Sequence, residues 1–267
     1  TKYYGLSFGS NKSISGEVVF NTSMVGYVES LTDPSYKNQI LVLTYPLVGN
    51  YGVPAETYTD EKLNLNWESN NIQIEGLVVS ENIESNYHWK SNSTLGNWLE
   101  KYNIPGISGI DTRELTLKLR EHGTMTGRIY QENTIPINFV DIGELDLVSS
   151  VSTSETYEIN KNGKYKVLVI DCGVKHSILK QLEKRNLHLK VVNNNYDFAN
   201  DEFDALFISN GPGNPEVNIE LVNRLRFFME QNPLKPIFCI CLGHQLMGLA
   251  IGCNIIKMKY GNRGINQ

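Results

Sequence analysis

A chain of 267 residues, 40% hydrophobic and 20% charged, is long enough for one large or two medium domains with real cores. A formal net charge of −5 leaves no electrostatic footprint for nucleic acid or an anionic membrane, and no apolar run is long enough to span a bilayer. Thr1–Tyr4 shows no signal-peptide pattern. Cys172, Cys239, Cys241 and Cys253 are irregularly spaced, which argues against a disulfide framework and for a reducing, cytoplasmic setting. Cys239 and Cys241 are alternate strand residues with no second Cys/His pair at zinc spacing, so no metal is expected.

In chain order, Glu17–Phe20, Ile40–Leu43 and Ile74–Val79 are short β-branched runs bounded by turn residues and predict strands. Leu95, Trp98 and Leu99 fall at helical spacing. Asp111 followed by Glu114 reads as a helix start, with the helix Thr112–His122 ending at Gly123. Residues 151–164 are polar and aperiodic and read as a linker between a domain at 1–150 and a domain at 165–267.

The second part alternates. Strands are expected at Lys166–Ile170, Leu187–Val192, Ala205–Ile208, Ile237–Ile240 and near Ile255. Helices are expected around Ile178–Leu182, Leu221–Met229 and Leu246. The fold class is therefore α/β: a β-rich α+β domain followed by a mostly parallel, doubly wound sheet. Ligands of such sheets bind at the carboxyl ends of the strands. Three segments occupy those ends: Asp171–His176, Ser209–Pro215 and the stretch from Cys241.

At Cys241 the short apolar strand Ile237–Ile240, which reads as buried, turns through one residue into a helix. That geometry exposes a thiol beside backbone N–H groups, which lower its pKa and can hold an oxyanion. The competing reading is a buried structural cysteine. Gly211-Pro212-Gly213 is either a simple turn or a loop whose N–H groups approach a substrate closely. It lacks the Lys-Ser/Thr of a phosphate loop. A thiol beside such a loop suggests acyl transfer. His244 lies three residues past Cys241 but faces away from the elbow, so it reads as structural rather than as the base. On the residues alone, Ser35 is a turn residue and Lys175 either a solvated or a pocket-side lysine.

Cys241-Leu-Gly-His-Gln245, with Ser209-Asn-Gly-Pro-Gly-Asn214 upstream, resembles a class I, triad-type glutamine amidotransferase. Gly16–Tyr27, Leu31-Thr-Asp-Pro-Ser-Tyr36, Thr44–Gly52, Gly109–Leu115 and Gly261-Asn-Arg-Gly264 resemble the small subunit of carbamoyl phosphate synthetase. The wording is most similar to the eukaryotic pyrimidine-pathway form, and the resemblance spans essentially the whole chain. It implies that L-glutamine is hydrolysed through a Cys241 thioester. The ammonia would pass to a synthetase, as a large subunit or as fused domains, for carbamoyl phosphate used in pyrimidine or arginine synthesis. It assigns Gly213 and Leu242 to the oxyanion hole. Ser35, Gly211 and Gln245, with Gly213 and Leu242, are assigned to glutamine binding, and Lys175 falls near the pocket. No cofactor is implied for this chain, since ATP, bicarbonate and magnesium belong to the synthetase partner.

The sequence ends at Gln267, upstream of the family's His-x-Glu, so the expectation is a fragment of a longer synthetase with little glutaminase activity alone. The alternative is a non-catalytic lobe that docks and regulates a synthetase. Retention of Cys241 favours the enzyme, because the ammonia-dependent relatives replace that position.

Overall fold

The computed structural model describes residues 1–59, 63–85, 87–132, 134–135 and 137–263. The described chain forms two compact units. The first comprises Thr1–Thr57, Asn70–Ile142 and the residues from Met258 onward; the second comprises Tyr58–Ser69 and Gly143–Lys257.

The first unit is built on a six-stranded mixed sheet. Its strands are β1 (Leu6–Gly9), β2 (Ile14–Asn21), β3 (Gln39–Leu43), β4 (Gly76–Val78), β5 (Pro105–Ser108) and β6 (Met125–Ile129), in spatial order β1-β5-β4-β3-β2-β6. The inner pairs β2/β3, β3/β4 and β4/β5 are parallel, and the outer two are antiparallel. The inner β3 is buried along its whole length, which fits its continuous apolar run. Helix α1 (Tyr27–Thr32) leads into a 3-10 turn at Pro34–Tyr36. Helix α2 (Leu95–Lys101) is capped by Thr94, whose hydroxyl accepts from Asn97 N at 3.2 Å.

Helix α3 spans Thr112–His122, as the sequence predicts. The Asp111 carboxylate accepts from Arg113 N and Glu114 N at 3.1 and 2.8 Å, satisfying two of the free N–H groups of the first turn. Leu115 and Leu119 of α3 pack with Phe20, Ile40 and Val42 of the sheet.

The second unit carries the doubly wound sheet. Helix α4 (Leu147–Val151) precedes β7 (Tyr157–Ile159), β8 (Tyr165–Asp171), α5 (His176–Glu183), β9 (Leu187–Asn193) and β10 (Ala205–Ile208). Then follow α6 (Ile219–Gln231), β11 (Ile237–Cys239) and α7 (Leu242–Ala250). Strand order is β7-β9-β8-β10-β11, parallel except for β7. Period-2 alternation in β8 sends Leu168 and Ile170 to one face, with α6 and α7, and Val167 and Val169 to the other, with α5. Helices therefore cover both faces, which sets the carboxyl ends of the parallel strands along one edge.

Three expectations are corrected. Residues 151–164 are not a plain linker: β7 lies among them as an edge strand, with Ile159 fully buried. Three residues are too short for alternation to stand out from a polar background. The Ile237 strand is not wholly buried, since Phe238 is 63% exposed and stacks on Phe207 with centroids 5.8 Å apart. No strand forms near Ile255. Ile256 is 84% exposed, and among the described residues β11 pairs with β10 alone. Gly264–Gln267 lie outside the described residues. No helix of the described residues is long and apolar enough to cross a membrane.

The segment Tyr58–Ser69 joins the second unit although it is encoded far upstream. Leu63 packs with Val174 and Leu179. Asn64 N donates to His176 Nδ1 at 2.9 Å, and Lys180 Nζ donates to the Asn64 and Leu65 carbonyls. His176 must be neutral to accept there. Burial, and then the Lys180 ammonium, push its pKa down from 6.5 to about 4. The folded state thus resists protonation more than the unfolded chain does. The stabilisation, at most ~3 kcal/mol, is complete above pH 6.5 and is lost as pH falls toward 4. His176→Asn keeps an acceptor without a titrating ring. Thermal unfolding of the variant should show a flatter pH dependence between pH 6.5 and 4; an unchanged slope would rule out this origin.

Candidate active site

The site is assembled at the carboxyl ends of β8, β10 and β11. Cys241 links β11 to α7 with φ 52° and ψ −110°, a conformation that a non-glycine residue holds only when its surroundings enforce it. The enforcement is local. Gln245 N donates to Cys241 O at 3.1 Å, closing the first helical turn, while Gly243 N donates to Ser209 O and Ile240 O at 3.0 and 2.9 Å. Gly243 is required there, because a Cβ would lie 2.3 Å from the Ile208 carbonyl oxygen. Leu242 is buried at the first position of α7, where its N–H has no partner within the helix. The result is an exposed cysteine at a strained elbow, beside a helix N-terminus.

The other thiols are in different settings. Full burial, then the neighbouring Asp171, pushes Cys172 far up, and burial raises Cys239 to about 11. Neither is a competent nucleophile at neutral pH. Cys253 is exposed but lies past the end of α7.

Beside the elbow runs the loop after β10. Ser209 N donates to Ile170 O at 3.2 Å, and the Ser209 hydroxyl accepts from Cys172 N at 2.9 Å. Gly211 rests against the Cys172 carbonyl, where a Cβ would lie 2.0 Å from the oxygen, and against Leu242. Gly213 lies beside Leu147 of α4. The loop ends where Asn214 caps a 3-10 turn, accepting from Glu216 N at 3.1 Å.

The third component is the turn from β8 to α5. Asp171 is 5% exposed, and its carboxylate accepts from Gly173 N, Val174 N and Thr153 N at 2.8, 2.7 and 2.8 Å. Burial drives its pKa up, opposed by these three N–H groups. The Ser152 hydroxyl donates to the Asp171 carbonyl and accepts from Asn194 N, tying in the end of β9. Lys175 takes the N-cap position of α5, and its N–H donates to Asn210 Oδ1 at 3.3 Å.

The fold thus sets Cys241, Leu242, Gly211, Gly213 and Lys175 at neighbouring strand ends of one unit, with Gln245 in the first turn of α7. Ser35 belongs to the other unit, in the Pro34–Tyr36 turn, where its N–H donates to Asp33 Oδ1 at 2.9 Å. His244 is exposed on α7. Among the described residues no cluster of three or more His, Cys, Asp or Glu could hold a metal ion. Sequence reasoning missed Asp171 and Asn210. A carboxylate immediately before Cys172-Gly173 at a strand end was the signal available for the first. For the second, nothing in the sequence distinguishes the side chain from that of an ordinary turn asparagine.

Chemically, the arrangement can present a sulfur nucleophile to an acyl carbon and offer backbone N–H groups to the developing oxyanion.

Residues 1–129 match the family model for the carbamoyl-phosphate synthase small chain, CPSase domain, and residues 168–267 match glutamine amidotransferase class-I. The multifunctional protein CAD of Squalus acanthias is 45% identical over 271 aligned positions, covering 100% of this chain and 12% of that protein. The arginine-specific carbamoyl phosphate synthase small chain of Neurospora crassa is 46% identical, covering 99% of this chain and 60% of that protein. Its counterpart in Saccharomyces cerevisiae is 44% identical, covering 99% and 66%. The chain therefore spans less than two thirds of the two small chains and a small part of the multifunctional protein. The two matched domains, in this order and with this identity along the whole chain, place it in the carbamoyl-phosphate synthase small-chain family, with a class-I glutamine amidotransferase domain as its second part.

Proposed function

We propose that this chain is the glutamine-hydrolysing component of a carbamoyl phosphate synthetase. The observation that carries the reading is the Cys241 elbow, a strained exposed cysteine at the head of α7. Cys241 Sγ attacks the carboxamide carbon of glutamine. The resulting oxyanion accepts hydrogen bonds from Leu242 N–H and Gly213 N–H. Collapse breaks the C–N bond, and the nitrogen takes a proton and leaves as ammonia. Water then cleaves the thioester, giving glutamate and restoring the thiol. The proton transfers need a general base, a role that the family resemblance gives to a His-x-Glu segment. Gly211 and Gln245 hold glutamine, and Lys175 lies at the pocket margin.

The ammonia is consumed by a synthetase partner, separate or fused, that uses ATP, bicarbonate and magnesium. The product serves pyrimidine or arginine synthesis. A cytoplasmic, reducing setting fits a chain whose described residues contain no disulfide.

Two experiments on the complete synthetase test the reading. Cys241→Ser should lower glutamine-dependent carbamoyl phosphate formation by roughly 10³-fold or more while ammonia-dependent formation stays within about twofold. Unaltered glutamine-dependent synthesis would instead favour a docking lobe without chemistry. Gly243→Ala places a methyl 2.3 Å from the Ile208 carbonyl and must displace the elbow. It should destabilise the protein by about 1–3 kcal/mol in denaturant unfolding and slow alkylation of Cys241 by an electrophilic glutamine analogue. Normal labelling and stability would show that the elbow does not depend on this contact.

A further inference from the structure

The turn that follows β8 is held with unusual completeness. Five consecutive backbone N–H groups, Gly173 through Ser177, donate to just three residues. Gly173 N and Val174 N go to the Asp171 carboxylate. Lys175 N goes to Asn210 Oδ1. His176 N goes to the Glu68 carbonyl at 2.9 Å, and Ser177 N to Glu68 Oε2 at 3.0 Å. The turn is therefore fixed from within by a buried carboxylate and from outside by the Tyr58–Ser69 segment.

Asn210 belongs to a different element. It is 3% exposed and sits between Ser209 and Gly211, at the root of the glycine loop. Its amide spans the fixed turn: Nδ2 donates to Gly173 O at 2.9 Å while Oδ1 accepts from Lys175 N. Both polar ends of one side chain are thus used on two backbone groups of the neighbouring turn. A buried amide with both ends satisfied specifies relative position more tightly than apolar contact, because a shift leaves a buried donor and acceptor unmade.

We infer that Asn210 is a positioning residue, which registers the Gly211–Gly213 loop on the prefixed Gly173–Lys175 turn. It thereby sets where the loop's N–H groups stand relative to Cys241. This deepens the glutaminase reading and rests on it. Asn210 touches no reacting atom in this account; it acts through the loop backbone that follows it.

The test uses the complete synthetase with Asn210→Asp and, in parallel, Asn210→Ser. The aspartate keeps the acceptor for Lys175 N but turns an oxygen toward the Gly173 carbonyl, breaking the donor half. The serine adds no charge and removes the reach, so it serves if the aspartate fails to fold. Three quantities are measured: kcat and KM for glutamine, ammonia-dependent synthesis, and the rate of Cys241 alkylation by iodoacetamide, which needs no glutamine pocket. Misplacing the loop by a fraction of an ångström to one ångström should lower kcat/KM for glutamine by about 10- to 100-fold. Ammonia-dependent synthesis and iodoacetamide alkylation should stay within about twofold. A kcat/KM within twofold of wild type in a folded variant overturns the inference, as does a parallel loss of all three quantities, which marks a purely structural role. If the unaltered enzyme shows no glutamine-dependent synthesis, the underlying glutaminase reading fails, and this inference fails with it.

Discussion

The buried carboxylate of Asp171 is the interaction on which the second unit's working edge depends. A carboxylate removed from water is costly unless its lone pairs are engaged, and here they engage three backbone N–H groups from two different loops. Those N–H groups would otherwise be orphans at the ends of secondary structure. Each side of the arrangement therefore satisfies a cost that the other would incur alone. With the turn after β8 fixed, the loop after β10 has a rigid surface to lie on, and the first residues of α7 pack against that loop in turn through Gly243 and Leu242.

Strain at Cys241 is comprehensible in the same terms. A residue held at φ 52° is disfavoured by itself and would relax if its neighbours could move. They cannot move cheaply: Leu242, Leu246 and Ala250 of α7 are buried with Leu206 and Ile208 of β10. Burial of apolar area behind the elbow offsets the unfavourable backbone in front of it.

The legible parts of the fold were those with strong local signals. Thr112–His122 carried an N-cap aspartate, a helical apolar stripe and a terminal glycine, and its observed limits agree with the expected ones. The parallel strands β8 and β10 were visible because strands buried on both faces read as continuous apolar runs, and β9 because Leu187, Leu189 and Val191 alternate with polar residues. What escaped was non-local. The three-residue strand β7 forms because β9 offers an open edge, not because Tyr157–Ile159 has a marked preference of its own. Likewise, nothing around Leu63–Ser69 shows that Glu68 will supply two acceptors to a helix more than a hundred residues later. At the site, Cys241 and the glycine loop were recognisable from residue types, whereas Asp171 and Asn210 were not. Their roles lie in which backbone groups they meet, and that is decided by the assembled sheet.

The excursion of Tyr58–Ser69 has a bearing on how the molecule forms. Asn64 and His176 meet across 112 positions of sequence, so this closure carries a large entropic loop cost before it is rewarded. During synthesis the early segment emerges well ahead of the helix it will cap and must wait unpaired for it. The second unit is consequently not a contiguous stretch that could finish folding by itself. Its completion is timed by an upstream piece, and a cut in the chain anywhere between the two would turn an intramolecular fastening into a problem of association.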